Sequence, residues 1–191
     1  MRFFMRATAL SAALLLFGCA SLTPQQYSSP VEVMHWELDG KLGIRAQGKA
    51  QSAFFNWQNH PDHFTISVHG PLGQGRSTLE EHLDGGVELR YDGNTYFAAT
   101  PEKLMQRHLG WSFPIDNMRW WARGLPAPDS PIDNSQHGPT GELLSLSQAG
   151  WEIQYLRYQT VNGLSLPYKI AATRDDLQLT LLLKKWELQS Q

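Results

Sequence analysis

Seven histidines are spread along the 191-residue chain, and imidazole is the side chain best suited to acid–base work or metal ligation near neutral pH. Their spacing argues against both roles. His60 and His63 lie on either side of Pro61, so they cannot share a helix face in the manner of H-E-x-x-H. His35, His69, His82, His108 and His137 are scattered, mostly on faces expected to be polar, and no Cys/His cluster has ligand spacing. Nucleophilic chemistry finds no support, because the G-x-S-x-G elbow is missing. Gly73-Gln74-Gly75 lacks the third glycine and the helix of a dinucleotide site, and no G-x-x-x-x-G-K loop is present to cradle phosphates. Glu80-Glu81 and Asp175-Asp176 are adjacent carboxylates that would point to opposite faces of a strand, so they read as solvated charge. The expectation is a protein that is not an enzyme and uses neither metal nor cofactor.

The position with a chemistry written into its surroundings is the sole cysteine, Cys19. Arg2 and Arg6 precede an apolar run from Ala7 to Phe17, which falls short of the roughly 20 residues a bilayer span requires and suits the core of an export signal. Leu16-Phe17-Gly18-Cys19 resembles the lipobox of bacterial lipoproteins, in which the thiol is diacylated and the cysteine becomes the acylated N-terminus. Phe17 is bulkier than the residue usual at its place. The alternative is an unmodified cysteine lost with a conventional signal peptide. The expected division is a signal peptide over 1–18, a lipid-anchored tether over 19–33 and one folded domain over 34–191. Ala20 and Ser21 stand where an aspartate would retain a lipoprotein in the inner membrane, so the expected location is the outer membrane, facing the periplasm. Thr23 to Glu32 has no periodicity, and ten such residues reach at most about 35 Å, which keeps the domain near the bilayer. With one cysteine there is no internal disulfide.

A net charge of −2 supplies no cationic footprint for nucleic acid, which is dropped as a partner. The chain is 41% hydrophobic with seven tryptophans, rich in the large side chains that fill cores or line apolar pockets.

The elements follow from alternation. Trp36, Leu38, Leu42, Ile44 and Ala46 take one side of a strand, with Glu37, Asp39, Lys41 and Arg45 on the other. Ala53, Phe55 and Trp57 give the next strand, with Phe54 opposite read as a second-layer contact. Phe64/Ile66/Val68 and Leu79/Leu83 form a pair around a loop, and Asp92-Gly93 marks a hairpin. Further short strands run from Leu144 to Leu183, so roughly ten strands in an antiparallel meander are expected. Two helices interrupt it. Thr100-Pro101-Glu102 starts one through Leu109, and Pro114 starts another that Gly124-Leu125-Pro126 stops. Pro126 to Gly141 reads as a long loop. Two helices cannot cover so many strands, so the sheet must curl into an open or closed barrel. Such a barrel holds either a packed core or a lipophilic cavity.

The loop Gly70-Pro71-Leu72-Gly73-Gln74-Gly75 is turn material around a bare leucine. Leu72 either bends back to plug the sheet or points outward as an apolar probe.

Taken together, the lipobox, Phe54-Phe55-Asn56-Trp57-Gln58, Pro71-Leu72-Gly73, Pro114-Ile115 with Arg119 and Trp121, Gly124-Leu125-Pro126 and the terminal run through Lys185-Trp186 resemble the LolB family of Gram-negative outer-membrane lipoproteins. That resemblance implies a mainly β (α+β) fold, an unclosed, strongly curved antiparallel β-barrel with a hydrophobic cavity covered by α-helices. It implies a protein that takes lipoproteins from the periplasmic carrier LolA, holds their acyl chains and inserts them into the inner leaflet of the outer membrane. The loop Pro71-Leu72-Gly73 would serve insertion, and the chain is expected to be a monomer. Strand parity then nominates Leu42, Ile44, Phe55, Trp57, Ile66, Val68, Leu89, Tyr96, Ile153 and Leu181 for the cavity wall, with Met118 and Trp121 from the helices. Alternatives are an accessory lipoprotein with a packed barrel that binds a protein, or a carrier of free lipid.

Overall fold

In a computed structural model, residues 27–73 and 75–189 are described; Cys19 and the expected signal peptide lie outside them, as does the side chain of Leu72. Eleven strands form one antiparallel sheet: β1 (Trp36–Ala46), β2 (Lys49–Asn59), β3 (Phe64–His69), β4 (Ser77–Glu81), β5 (Val87–Tyr91), β6 (Asn94–Ala98), β7 (Ile132–His137), β8 (Leu143–Gln148), β9 (Trp151–Val161), β10 (Leu164–Arg174) and β11 (Leu177–Leu188). Two helices, α1 (Pro101–Leu109) and α2 (Ile115–Trp121), fall between β6 and β7.

The spatial order β6-β5-β4-β3-β2-β1-β11-β10-β9-β8-β7 is two meanders joined where β1 pairs with β11. The sheet edges are β6 and β7, each with a single neighbour, so the barrel is unclosed. Those edges are also consecutive in the chain. The connection that carries α1 and α2 must therefore start at one edge and finish at the other.

Alternation sets which face is dry. Trp36, Leu38, Gly40 and Leu42 of β1 are buried in turn with half-buried Glu37, Asp39 and Lys41 between them, and β11 buries Leu177, Leu179, Leu181 and Leu183 in the same rhythm. Register is fixed by two-residue turns. Gln47-Gly48, Asp92-Gly93, Ala149-Gly150 and Asn162-Gly163 all have positive φ at both positions, the turn whose twist matches the flanking strands and which glycine makes cheap. Gly40 answers a different need. It sits where the β1–β11 register shifts, and an added Cβ would lie 2.4 Å from both the Leu182 carbonyl oxygen and the Phe55 ring.

The helix signals act as read. The Thr100 hydroxyl accepts from the Lys103 N–H, and α1 ends at Gly110 in the left-handed region. Glu102 does more than face its own helix dipole, because it accepts from the Ile115 N–H at 3.1 Å and so caps α2, whose Pro114 offers no side-chain cap.

Three expectations need correction. Pro126 to Gly141 is not all loop, since β7 lies within it and pairs with β8. As an edge strand with little of it buried, β7 has no apolar alternation to betray it. Phe54 faces solvent on the convex side, 37% exposed, with no second layer over it. Residues 27–33, expected to belong to the tether, pack onto the domain instead. Tyr27 is buried and donates to the Gln189 carbonyl at 2.6 Å, and Val33 is in the core. The turn Pro30–Glu32 is held by Arg123, a buried guanidinium that donates to the Val33 carbonyl at 2.6 Å and the Pro30 carbonyl at 3.4 Å. Burial, and then the neighbouring Arg119 cation, pull the Arg123 guanidinium down to about 10.

Candidate functional site

The concave face encloses a cavity of about 330 Å³ between the first meander and the helices. Its wall is apolar for a reason visible in the strands, because each contributes alternate side chains from its buried face. Leu42 and Ile44 come from β1, Phe55 and Trp57 from β2, Ile66 and Val68 from β3, Leu89 from β5 and Leu181 from β11. Met118 reaches the same space from α2. All nine are among the residues that strand parity and helix position nominate.

Further wall residues follow signals that parity could have supplied. Tyr91 continues the parity of Leu89, and Leu79 faces Ile66 across the β3–β4 ladder. Met105 and Leu109 share one face of α1, four residues apart, and Ile115 precedes Met118 by three on α2. Trp111 and Phe113 were legible only as members of a connection. Their rings stack 5.8 Å apart and close the wall between the helices.

Tyr96, Trp121 and Ile153 lie away from this wall. The Trp121 indole N–H donates to Gln148 Oε1 at 2.8 Å, and its ring lies 6.4 Å from that of Trp151. Gln148 is fully buried and uses its whole amide: Oε1 also accepts from the Ala127 N–H, and Nε2 donates to the Ala127 and Ser130 carbonyls. This lock turns Trp121 into the second meander. Ile153 is buried there as well, paired across strands with Leu146 and Ala172. Tyr96 is at the β6 edge, where its ring stacks on His108 at 3.8 Å. The barrel thus has two unlike halves, with α2 filling the interior over β8–β10 and the cavity lying over β1–β5.

Among the lining residues Gln51, Ser52 and Gly75 are exposed, so the cavity opens beside them, with Gly70 and Ser77 half-buried next to the opening. The loop between β3 and β4 therefore borders the cavity, and its Pro71–Gly73 portion is a 3-10 turn. A smaller recess of about 150 Å³ adjoins it beneath the β1–β2 turn and shares Ile44, Gln51, Leu109 and Trp111.

The histidines form no ligand set. His60 stacks on His63 at 4.3 Å and meets His35 edge-on at 5.3 Å, yet among the described residues no group of three or more His, Cys, Asp or Glu has metal-binding geometry. Burial, then His63 and His35, hold the His60 imidazole below its ordinary value, with Asp62 opposing. Glu81 is shifted upward, first by burial and then by Asp116, against the pull of Arg119. These groups sit at the end of the sheet away from the cavity mouth and do not line the cavity.

Residues 34–186 match the family model described as "Outer membrane lipoprotein LolB". The chain is 38% identical over 194 residues to the outer-membrane lipoprotein LolB of Stutzerimonas stutzeri (strain A1501), covering 92% of this chain and 91% of the relative. With the protein of that name from Cellvibrio japonicus (strain Ueda107) it shares 38% identity over 192 residues, 94% of this chain and 95% of the relative. Among solved structures, a LolA superfamily protein from Nitrosomonas europaea superposes with a TM-score of 0.49 at 6% identity, over 84% of this chain and 88% of its own.

Proposed function

The chain belongs to the LolB family of outer-membrane lipoproteins, and from that premise we propose that its cavity receives the acyl chains of a lipoprotein delivered by a LolA carrier and releases them into the inner leaflet of the outer membrane. The family places the protein in outer-membrane lipoprotein localisation. The observation that carries the finer reading is the apolar cavity bounded by Leu42, Phe55, Ile66, Leu89 and Met118, with a mouth edged by a glycine-flanked loop.

The physical need is plain. Three acyl chains hold on the order of 45 methylenes, and at ~0.8 kcal/mol each their exposure to water costs roughly 35 kcal/mol. Transfer must run from one apolar enclosure to the next without passing through bulk water. Pure exchange between apolar hosts needs no nucleotide, and its direction is set by relative affinity, with the bilayer as final sink. Cys19, lipidated, would hold the domain at that bilayer. Leu72, at the tip of the loop beside the mouth, would enter the membrane surface as the chains leave.

The test uses the Cys19→Ala protein with a labelled lipoprotein loaded on LolA. Transfer of the label, together with uptake of an apolar fluorescent probe that lipid displaces, is the expected result. A protein that takes up neither has a core closed to lipid, and one that takes free lipid but no lipoprotein is a lipid carrier. Leu72→Glu should leave uptake intact and slow insertion into vesicles; insertion at the wild-type rate removes the membrane role from the loop.

A further inference from the structure

The convex face carries a feature that the cavity does not use. Register partners align across six strands as Arg157 on β9, Lys169 on β10, Leu182 on β11, Lys41 on β1, Phe54 on β2 and His69 on β3. With strands about 4.8 Å apart the row spans roughly 24 Å. At its centre the Lys41 and Lys184 ammonium groups lie 5.9 and 5.7 Å from the exposed Phe54 ring, and His69 stacks on the other side at 5.7 Å.

Of these cations Arg157 lies over the Tyr168 ring, 4.1 Å from its centroid. Lys41, Lys169, Lys184 and Arg157 have no carboxylate oxygen within 4.0 Å among the described residues. The nearest carboxylates along β1, Glu37 and Asp39, keep their charge but are directed to Asn56, whose Nδ2 donates to them at 2.6 and 2.8 Å. Such a concentration of unpaired positive charge is local, since the chain as a whole carries −2. It also holds apolar surface, with Phe54 37% and Leu156 52% exposed beside it.

We propose that this cross-strand row of cations around Phe54 is a docking surface for the anionic phospholipid headgroups of a bilayer. The row is too long for one small anion, and its mixture of ammonium groups with exposed aromatic and aliphatic side chains suits the headgroup boundary. It ends at His69, the residue before Gly70 of the loop at the cavity mouth. Contact along the row brings that mouth toward the same membrane. The assignment rests on the reading that the protein delivers cargo at a bilayer, and it adds how the domain is oriented there.

The experiment measures partition of the Cys19→Ala protein into vesicles of phosphatidylcholine alone and of phosphatidylcholine mixed with phosphatidylglycerol. Preference for the anionic vesicles, declining with salt, is expected. Each surface cation is worth about fivefold in binding, so Lys41→Gln with Lys184→Gln should weaken partition by roughly 25-fold, while Lys41→Arg with Lys184→Arg retains it. Uptake of the apolar probe in vesicle-free solution should be the same in every variant. That arm keeps the two ideas apart: loss of probe uptake in all forms refutes the cavity, whereas the vesicle arm alone decides the row. Equal partition of wild type and the Gln variant overturns the proposal. So does slower transfer from LolA in vesicle-free solution with partition unchanged, which would make the row a contact for an acidic protein surface.

Discussion

Val68→Phe tests whether the cavity is a built feature of the fold. Val68 lies on the cavity wall, partly buried, and pairs with Phe55 and Ser77. A cavity of about 330 Å³ at ~24 cal/mol per Å³ represents about 8 kcal/mol of packing that a filled core would have. Phenylalanine adds about four carbon atoms, worth at most ~3 kcal/mol at ~0.8 kcal/mol each, and accommodation strain takes back part of that. The net expectation is a gain of about 1–2 kcal/mol, a rise in Tm of about 2–8 °C for a chain of this size. Binding should move the other way. Side-chain carbon that occupies the cavity displaces ligand methylenes, so affinity for an apolar probe should fall roughly 10- to 100-fold. Ile153→Phe is the control, because Ile153 is 1% exposed in the packed half and overpacking there should cost about 1–3 kcal/mol. Thermal melts and probe titration read both quantities on the same samples. If Val68→Phe destabilises as Ile153→Phe does, or leaves probe affinity unchanged, the cavity is not where the geometry puts it.

Gln148→Leu strands the Trp121 indole N–H and the Ala127 and Ser130 groups that the amide satisfies, so urea unfolding should show a loss of at least about 3 kcal/mol. Gly40→Ala places a Cβ 2.4 Å from the Leu182 carbonyl and the Phe55 ring; a loss of about 1–3 kcal/mol by overpacking, together with weaker probe binding as Phe55 is pushed into the cavity, checks that pairing. His60 is depressed first by burial and then by His63 and His35. A group whose folded value lies below its unfolded one contributes stability above the unfolded value near 6.5 that is lost as pH falls toward the folded value. His60→Gln should flatten the decline in Tm on acidification below about pH 6.5, and an unchanged acid limb would show that His60 does not set it.

Much of the architecture could be read from the chain because a half-buried antiparallel strand writes its orientation at every second residue. Leu42, Ile44, Phe55, Trp57, Ile66 and Val68 carry the inner-face parity and line the cavity. Parity says which face a side chain takes but not what fills the space in front of it. Ile153 obeys the same alternation and is covered by packed core. Trp121 has the right helix and a different target, decided by an amide on β8 far away in sequence. Gln148 itself gave no signal, since a lone glutamine at a strand end reads as surface until its four partners are seen. β7 carries no alternation because an exposed edge strand has no dry side, and the docking of Tyr27 to Gln189 joins residues 162 positions apart. Cys19 lies outside the described residues, and so does the side chain of Leu72.

The unequal halves of the barrel bear on how a fold can tolerate an interior left partly unfilled. The buried polar locks gather on one side, with Gln148 fixing Trp121 and the 127–130 segment and Arg123 fixing Val33 to the end of α2. Trp121, Trp151, Leu166 and Ile170 are fully buried around them. On the cavity side the helices meet the wall through apolar contacts inside, with polar ties at the end of the sheet, where Arg119 donates to the His60 and Pro61 carbonyls at 2.7 and 3.0 Å, while Glu102 with Ile115 joins helix to helix. Apolar contacts are non-directional, so residues such as Met105, Leu109 and Met118 can give way to an inserted chain without stranding a polar group. Because β6 and β7 are the two sheet edges and the helical connection is fixed at both, a change in cavity size cannot be met by swinging the whole connection away. It must be absorbed within it, where Gly110 to Phe113 lies between the helices and is held to β10 by the Arg174 Nη2 donation to the Ser112 carbonyl at 3.5 Å.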